Sequence, residues 1–155
     1  MVSKAVHDVN NQLLDVKTLK RIHAVAKKTR KWAESYSFRR FPSDLGGMCA
    51  IAAAELHTRL KKIGINSTIA VMEDWYSHCF VLYGAYVIDV TATQFGITTP
   101  VLVEEHKKME HKKIQQIETF TDYGFPWRVS RKFTTVEGLK NYQKRSGWPP
   151  DQIAN

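Results

Sequence analysis

Cysteine is scarce in this chain, with two residues among 155, and long apolar runs are absent. Two cysteines cannot build a disulfide framework, so we expect a reducing, cytoplasmic setting. No stretch of about 18 apolar residues occurs, which excludes a membrane-spanning helix and argues against a membrane partner. Residues 1–12 also lack the apolar core of a secretory signal, in agreement with a cytoplasmic location.

The motifs that accompany nucleic-acid or phosphate binding are missing as well. The sequence has no zinc-finger spacing, no RNA-binding aromatic motif and no glycine-rich phosphate loop. Its net charge of +8 favours an acidic partner in general, either a protein surface or a nucleic acid. The basic residues are scattered over several short groups, so a solvated basic face is favoured over a nucleic-acid site.

Metal and cofactor sites are not predicted. His106 and His111 stand five residues apart in a charged run, a spacing that does not place them on one helix face. His7, His23 and His57 have no chemically useful neighbours in the sequence, and we interpret them as surface residues. We therefore expect neither a metal nor a cofactor.

The length suits one domain, residues 1–155, with a single core. Apolar residues of the N-terminal part, residues 5–37, recur at spacings of three, four and seven, which predicts one or two amphipathic helices. A further helical pattern covers residues 48–63 and ends at Gly64. Six residues are predicted to share its apolar face: Cys49, Ala52, Ala53, Leu56, Leu60 and Ile63.

Beyond Gly64 the period of the apolar residues changes from about 3.6 to 2, which predicts strands. We expect strands at residues 66–74, 78–83 and 86–92, and the last two should form a hairpin with a tight turn around Gly84. The patterns together predict an α+β fold in which helices pack on a small antiparallel sheet. The central part of this fold, the helix at 48–63 with the three strands, covers about residues 43–95.

The C-terminal extension, residues 96–155, carries weaker patterns. Residues 100–105 are predicted as a strand and residues 135–145 as a closing helix, while residues 112–120 are ambiguous. The last nine residues fit either a poorly ordered tail or a segment that packs through Trp148.

The start of the helix at residues 48–63 is unusual, because Gly46 and Gly47 precede it and Cys49 lies in its first turn. The partial positive charge of a helix N-terminus lowers the pKa of a cysteine and so favours the nucleophilic thiolate. Small residues beforehand would let a substrate carbonyl approach the free N–H groups of the first turn, which can serve as an oxyanion hole. The alternative is that Cys49 is a small buried hydrophobic residue.

The predicted hairpin supplies a base and an orienting group for such a nucleophile. A two-residue loop pairs Tyr83 with Tyr86 and makes His78 and Asp89 diagonal neighbours on one sheet face. A four-residue loop would place them directly opposite each other. Either register is compatible with a Cys49–His78–Asp89 triad.

Two residues of the hairpin allow a further test of this interpretation. Cys79 adjoins His78 in a strand, so it should point to the opposite face and belong to the core. Asp89 lies between Ile88 and Val90, where a carboxylate needs a partner, and a histidine ring N–H would satisfy it. The alternative is an edge-strand aspartate in water.

The order of these residues resembles the papain-like superfamily, in which a cysteine begins a helix, a histidine opens a strand and an aspartate lies on the next strand. The resemblance covers residues 43–95 and rests on "GGMCA", "SHCFVLYG" and "YVIDVTATQF". It is closest to the transglutaminase-like branch, which includes arylamine N-acetyltransferases and bacterial cysteine proteases and deamidases. The small size and basic charge resemble small phage or bacterial proteins. The resemblance implies that Cys49 is the nucleophile, His78 the general base and acid, and Asp89 the residue that orients His78.

The papain branch also places an oxyanion-hole glutamine shortly before the cysteine, and this sequence has no glutamine between residues 12 and 94. Gly47 would contribute through the backbone at the helix start. Trp75, Tyr76 and Gln94 are the candidates for the second donor or for substrate binding. The alternative for Trp75 and Tyr76 is that they only cap the sheet.

These features predict a cysteine-dependent acyl-transfer enzyme whose substrate is a protein or peptide with an amide or thioester carbonyl. Peptide or isopeptide hydrolysis, glutamine deamidation and transamidation all fit the scheme. The alternative is a non-catalytic binding or inhibitor module on the same fold, which would engage an acidic protein or a nucleic acid.

Overall fold

The computed structural model describes residues 14–37, 45–73, 76–111 and 125–155. These residues form an α+β fold in which four helices pack with a five-stranded antiparallel sheet. The helices are α1 (Val16–Ser37), α2 (Cys49–Lys62), α3 (His106–His111) and α4 (Val136–Arg145). The strands are β1 (Thr68–Glu73), β2 (Ser77–Tyr83), β3 (Tyr86–Asp89), β4 (Leu102–Glu105) and β5 (Arg131–Phe133).

Helix α1 is a single amphipathic helix over the described part of the predicted N-terminal helical region. Asp15 accepts a hydrogen bond from the backbone N–H of Thr18 at 2.7 Å and so satisfies one free donor of the first turn. The buried residues recur at spacings of four, three and four: Ile22, Ala26, Thr29 and Ala33. Residues 5–13 of the predicted region lie outside the described residues.

Helix α2 begins at Cys49 and is more deeply buried than its sequence pattern indicates. Ala50, Ile51 and His57 are buried in addition to most of the predicted apolar face, whereas Ile63 is 37% exposed and does not belong to that face. The interpretation of His57 as a surface residue is wrong, because its Nδ1 lies 2.9 Å from the buried Ser67 hydroxyl.

Gly64 ends α2 as predicted. Its φ of +83° is a left-handed conformation that glycine adopts without strain. Its N–H donates to the Lys61 carbonyl and the N–H of Ile65 donates to the Leu60 carbonyl, which satisfies two carbonyls of the last turn.

The sheet order is β4-β3-β2-β1-β5, so the predicted hairpin of β2 and β3 lies at its centre. Tyr83 pairs with Tyr86, and Gly84 and Ala85 form the two-residue loop. The predicted two-residue register is therefore confirmed. The predicted strand at 100–105 is β4, while β5, which pairs with β1, has no predicted counterpart.

Two apolar layers cover the two faces of the sheet. On one face α2 packs against alternate residues of the three central strands, which include Ile69, Val71, Cys79, Val81 and Ile88. On the other face Trp127 and Met109 pack against alternate residues that include Ala70, Met72, Phe80 and Val87. Both layers are buried, which explains why the central strands are apolar on both sides.

The C-terminal residues are anchored to the core. Gln143 of α4 is fully buried, and its side chain donates to the carbonyl of Gln152 at 3.2 Å and accepts from the N–H of Ala154 at 2.8 Å. Trp148 packs against the cluster beneath α2, in agreement with the second of the two alternatives for this segment. The ambiguous residues 112–120 lie outside the described residues.

Candidate active site

Cys49 is the first residue of α2, and a tight turn leads into this buried helix start. The N–H of Met48 donates to the Leu45 carbonyl at 3.0 Å, and Gly47 has a φ of +82° at the turn position that favours glycine. Met48 is the N-cap residue and has no side-chain oxygen to accept from the first-turn N–H groups. Cys49 therefore lies in the first turn, where a helix carries its partial positive charge.

His78 and Asp89 form a buried hydrogen-bonded pair. The Nε2 atom of His78 lies 2.7 Å from Oδ2 of Asp89, and the two side chains are 0% and 1% exposed. A carboxylate can only accept, so Nε2 carries the proton and Nδ1 is the ring nitrogen left for another partner. The aspartate therefore sets both the tautomer and the orientation of the imidazole.

Cys49 contacts His78 although α2 covers the opposite face of the sheet. The side chains of Cys79 and His78 both lie close enough to the Cys49 sulfur to lower its pKa. The pairing between β2 and β3 stops at Val81 and Ile88, so these two strands are not paired with each other where His78 lies. This gap allows the first turn of α2 to reach the imidazole. Cys49, His78 and Asp89 are thus brought together.

The electrostatics of this group favour a thiolate beside an imidazolium. The hydrogen bond donated by Cys79, together with the hydrogen bond and charge of His78, lowers the pKa of Cys49 well below its ordinary value despite burial. Burial opposes protonation of His78, but the charge and hydrogen bond of Asp89 and the contact with Cys49 raise its pKa to about 9. Burial and the neighbouring Cys49 raise the pKa of Cys79 well above its ordinary value.

Four hydrogen bonds hold the carboxylate of Asp89. Oδ2 accepts from His78 and from the Trp127 indole N–H at 2.8 Å. Oδ1 accepts from the backbone N–H and the hydroxyl of Thr91 at 2.8 and 3.2 Å. Burial alone would raise the pKa of Asp89, but the charge of His78 and these bonds hold it below its ordinary value. The edge-strand alternative for Asp89 is wrong, since the residue is buried in a central strand.

Aromatic rings enclose the imidazole. Phe95 meets it edge-on with ring centroids 4.6 Å apart, and Phe80 stacks against it at 5.8 Å. Tyr76 packs in turn on Phe95 at 5.8 Å. This apolar surrounding excludes water and so strengthens the interaction between His78 and Asp89.

The candidates for the second oxyanion donor are placed differently. The Nε2 atom of Gln94 lies 3.5 Å from Nδ1 of His78, on the side of the ring that faces Cys49, and donates to the Thr91 hydroxyl at 3.2 Å. Gly47 lies in the turn before Cys49, and Tyr76 lies one aromatic ring away from His78. Trp75 lies outside the described residues.

Sequence reasoning missed two contributors to this site. Trp127, which is fully buried, belongs to a segment with no strong pattern, and only its tertiary contact with Asp89 reveals its role. The Nε2–H of His106 donates to the backbone carbonyl of Trp127 at 2.7 Å, so this histidine holds the backbone from which the indole projects. Cys79 is buried as predicted, but its contact with Cys49 was not anticipated.

A groove of about 510 Å³ lies beside the site. Ser77 lines it, and in β2 this residue shares a sheet face with Cys79, the neighbour of Cys49. The C-terminal segment forms its other wall. The residues around it are Glu73, Tyr76, Ser77, Ser146, Gly147, Trp148, Pro149 and Gln152.

The described residues contain no group of three or more histidine, cysteine, aspartate or glutamate side chains that could hold a metal ion. Within the same ranges, no helix combines the length and the apolar character needed to cross a membrane. No protein-family model matches the chain, and no curated protein or solved structure is significantly similar to it.

The interaction between Cys49 and His78 predicts how the free energy of unfolding depends on pH. In Cys49→Ala, His78 keeps Asp89, so we expect its folded pKa to stay above the unfolded value of 6.5. Its stabilisation is complete below pH 6.5, and the free energy of unfolding should fall as the pH rises from 6.5 through the folded pKa of His78. In the native chain, Cys49 releases a proton on folding while His78 takes one up, and the two effects should cancel.

Urea unfolding at several pH values measures this difference. The native chain should show a nearly flat free energy of unfolding over the window, and the variant a declining one. Parallel pH dependences in the two proteins would show that Cys49 is not ionised beside His78.

Proposed function

We propose that this protein is a cysteine-dependent acyl-transfer enzyme with a papain-like or transglutaminase-like core, acting in a reducing, cytoplasmic setting. Cys49 is its nucleophile, His78 its general base and acid, and Asp89 its orienting residue. The observation that carries the proposal is the continuous contact from the Asp89 carboxylate through the His78 ring to the Cys49 sulfur. A nucleophile, a base and an orienter in this order define covalent catalysis by a thiol.

The reaction would begin from the ion pair of thiolate and imidazolium. Cys49 attacks the substrate carbonyl, and His78 gives its Nδ1 proton to the leaving amine, so that a thioester remains on the sulfur. His78 then accepts a proton from water or an amine, which attacks the thioester and releases the thiolate. Asp89 stabilises the imidazolium in both steps through its bond to Nε2.

The developing oxyanion has two candidate sources of stabilisation. One is the set of backbone N–H groups at the start of α2, where the N-cap residue Met48 provides no side-chain acceptor. The other is the side-chain amide of Gln94, which lies on the Nδ1 side of His78. Gln94 would thus supply the second donor that resemblance to the papain branch places before the cysteine.

The groove beside Ser77 is the proposed binding site for the chain that carries the scissile carbonyl. Tyr76 and Trp148 offer aromatic surfaces, and Glu73 offers a carboxylate that also pairs with Arg131 at 3.4 Å. A groove of about 510 Å³ with polar and aromatic walls is large enough for part of a protein or peptide substrate. Hydrolysis, deamidation and transamidation remain equivalent at this level, because they differ only in the leaving group and the final acceptor.

Acyl transfer can be tested with p-nitrophenyl acetate and with a short peptide thioester. We expect a burst of product and one acyl group on Cys49 by peptide mapping, because the thiolate forms a thioester before water resolves it. Cys49→Ala should show neither, while Cys79→Ser, which keeps a hydrogen-bond donor beside Cys49, should still be acylated at Cys49. Acylation of surface lysines alone, equal in the native chain and Cys49→Ala, would contradict the proposal.

The same assay separates the groove from the reacting residues. Trp148→Ala removes one wall of the groove, so it should slow acylation by the peptide thioester and leave acylation by the small ester unchanged. Equal rates with both acyl donors would exclude the groove as the binding site.

A second candidate function is a non-catalytic binding or inhibitor module that engages an acidic protein or a nucleic acid. The burial of Cys49, which is 5% exposed, favours it, because a satisfied polar network can also serve to hold a helix on a sheet. The net charge of +8 would then steer the module to its partner. Detection of the thioester on Cys49 decides between the two functions.

A further inference from the structure

The two cysteines of the chain, Cys49 at the start of α2 and Cys79 in β2, are in contact in the fold. The side chain of Cys79 lies close enough to the Cys49 sulfur to lower the pKa of Cys49. Both residues line one narrow crevice between α2 and strands β2 and β3, and neither forms a disulfide in this structure. We call them the sulfur pair.

The two sulfurs differ chemically in the way that an attacking and a resolving cysteine differ. Both sulfurs are buried, but Cys49 lies at a helix start near His78, whose pKa is raised to about 9, whereas Cys79 lies on a central strand. A thiolate reacts with peroxides, and the resulting sulfenic acid condenses with a thiol that lies within reach. Cys79 is the thiol within reach of Cys49.

We propose that the sulfur pair is an oxidative modification site, at which hydrogen peroxide converts Cys49 and Cys79 into a reversible intramolecular disulfide. Cys79 lies in β2, which is paired with β1 at this position, so its backbone is held. Cys49 follows the Leu45–Met48 turn, where a side chain added at Gly46 would meet no atom within 4 Å. The turn before Cys49 thus has open space beside it, whereas the backbone of Cys79 is held within the sheet.

The chemistry balances with hydrogen peroxide as the oxidant. The Cys49 thiolate attacks one peroxide oxygen and the O–O bond breaks, so that a sulfenic acid forms and the released hydroxide takes the proton of His78 as water. The Cys79 sulfur then attacks the Cys49 sulfur, the S–O bond breaks, and the departing hydroxide takes the Cys79 proton as a second water. Two thiols are oxidised by two electrons, and one peroxide is reduced to two waters.

Formation of the disulfide does not depend on the proposed function, but its consequence does. A Cys49 sulfur bonded to Cys79 cannot attack a carbonyl, so the oxidised protein would be inactive as an acyl-transfer enzyme. Reduction by a dithiol would restore the thiolate.

The test treats the reduced full-length chain with hydrogen peroxide, blocks remaining thiols with iodoacetamide under denaturing conditions and measures masses. We expect the protein to lose the mass of two hydrogens, to take up no label and to yield a cross-linked peptide that contains both cysteines. Dithiothreitol should reverse the change. In Cys79→Ser, Cys49 should stop at a sulfenic acid that dimedone traps, and should continue to the sulfinic acid with more peroxide.

Two outcomes would overturn the proposal. One is a sulfinic acid on Cys49 of the native chain while Cys79 still takes up iodoacetamide, and the other is a disulfide found only between two chains. Both outcomes are measured on the native chain, so the result does not depend on whether a variant folds. A cross-link in a protein whose reduced form is never acylated would support the sulfur pair and remove the proposed function alone.

Discussion

Iodoacetamide at pH 6 should alkylate Cys49 and leave Cys79 unmodified in the folded protein. The hydrogen bond from Cys79 and the contact with His78 lower the pKa of Cys49, whereas burial raises the pKa of Cys79. An ordinary thiol with a pKa of about 8.5 is less than about 1% ionised at pH 6. We therefore expect Cys49 to react roughly a hundredfold faster than a free cysteine would if its sulfur were equally accessible.

The His78→Ala variant is the control for this reaction. In this variant Cys49 has no imidazolium beside it, so iodoacetamide should no longer alkylate it at pH 6. Alkylation should begin only as the pH approaches 8. Peptide mapping after a timed reaction measures both cysteines at once. Equal labelling of the two residues, rising only above pH 8, would show that Cys49 is an ordinary thiol.

Asp89→Asn should keep the fold and reduce acyl transfer by about a hundredfold or more. Asparagine has nearly the same shape, but it removes the charge that raises the pKa of His78 and stabilises the imidazolium. The histidine also loses the partner that sets its tautomer. Burst kinetics with p-nitrophenyl acetate measure the loss, and circular dichroism checks the fold.

Trp127→Phe is a matched comparison for that variant. It removes the indole hydrogen bond to Oδ2 and keeps both an aromatic ring and the Asp89 charge. Its loss of acyl transfer should be smaller than that of Asp89→Asn. Full activity in Asp89→Asn would remove Asp89 from the site, whatever Trp127→Phe does.

The hairpin shows how much of this arrangement follows from sequence. Alternation of apolar residues and a two-residue glycine turn define the pairing of Tyr83 with Tyr86, because a slip by one residue would turn every side chain to the other face. His78 and Asp89 follow as diagonal neighbours. The end of α2 at Gly64 also follows from the local sequence, because the position after the helix has a left-handed conformation that glycine adopts without strain.

Other features were beyond sequence reasoning because they depend on long-range contacts. His57 has no partner nearby in the helix and finds Ser67 only through the fold. Trp127 reaches Asp89 across 38 positions of the sequence. No periodicity reports such contacts, since each depends on how separate elements pack.

The sequence by itself determined helices α1, α2 and α4, strands β1 to β4, the hairpin register and the placement of Cys49 at a helix start, because each depends on backbone preferences and apolar spacing over a few neighbouring residues. The tertiary structure alone decided that Cys49 touches both His78 and Cys79. That contact needs the gap where the pairing of β2 and β3 stops at Val81 and Ile88, together with the packing of α2 over it. The contact depends on how the helix packs on the sheet, and local sequence patterns do not encode that packing.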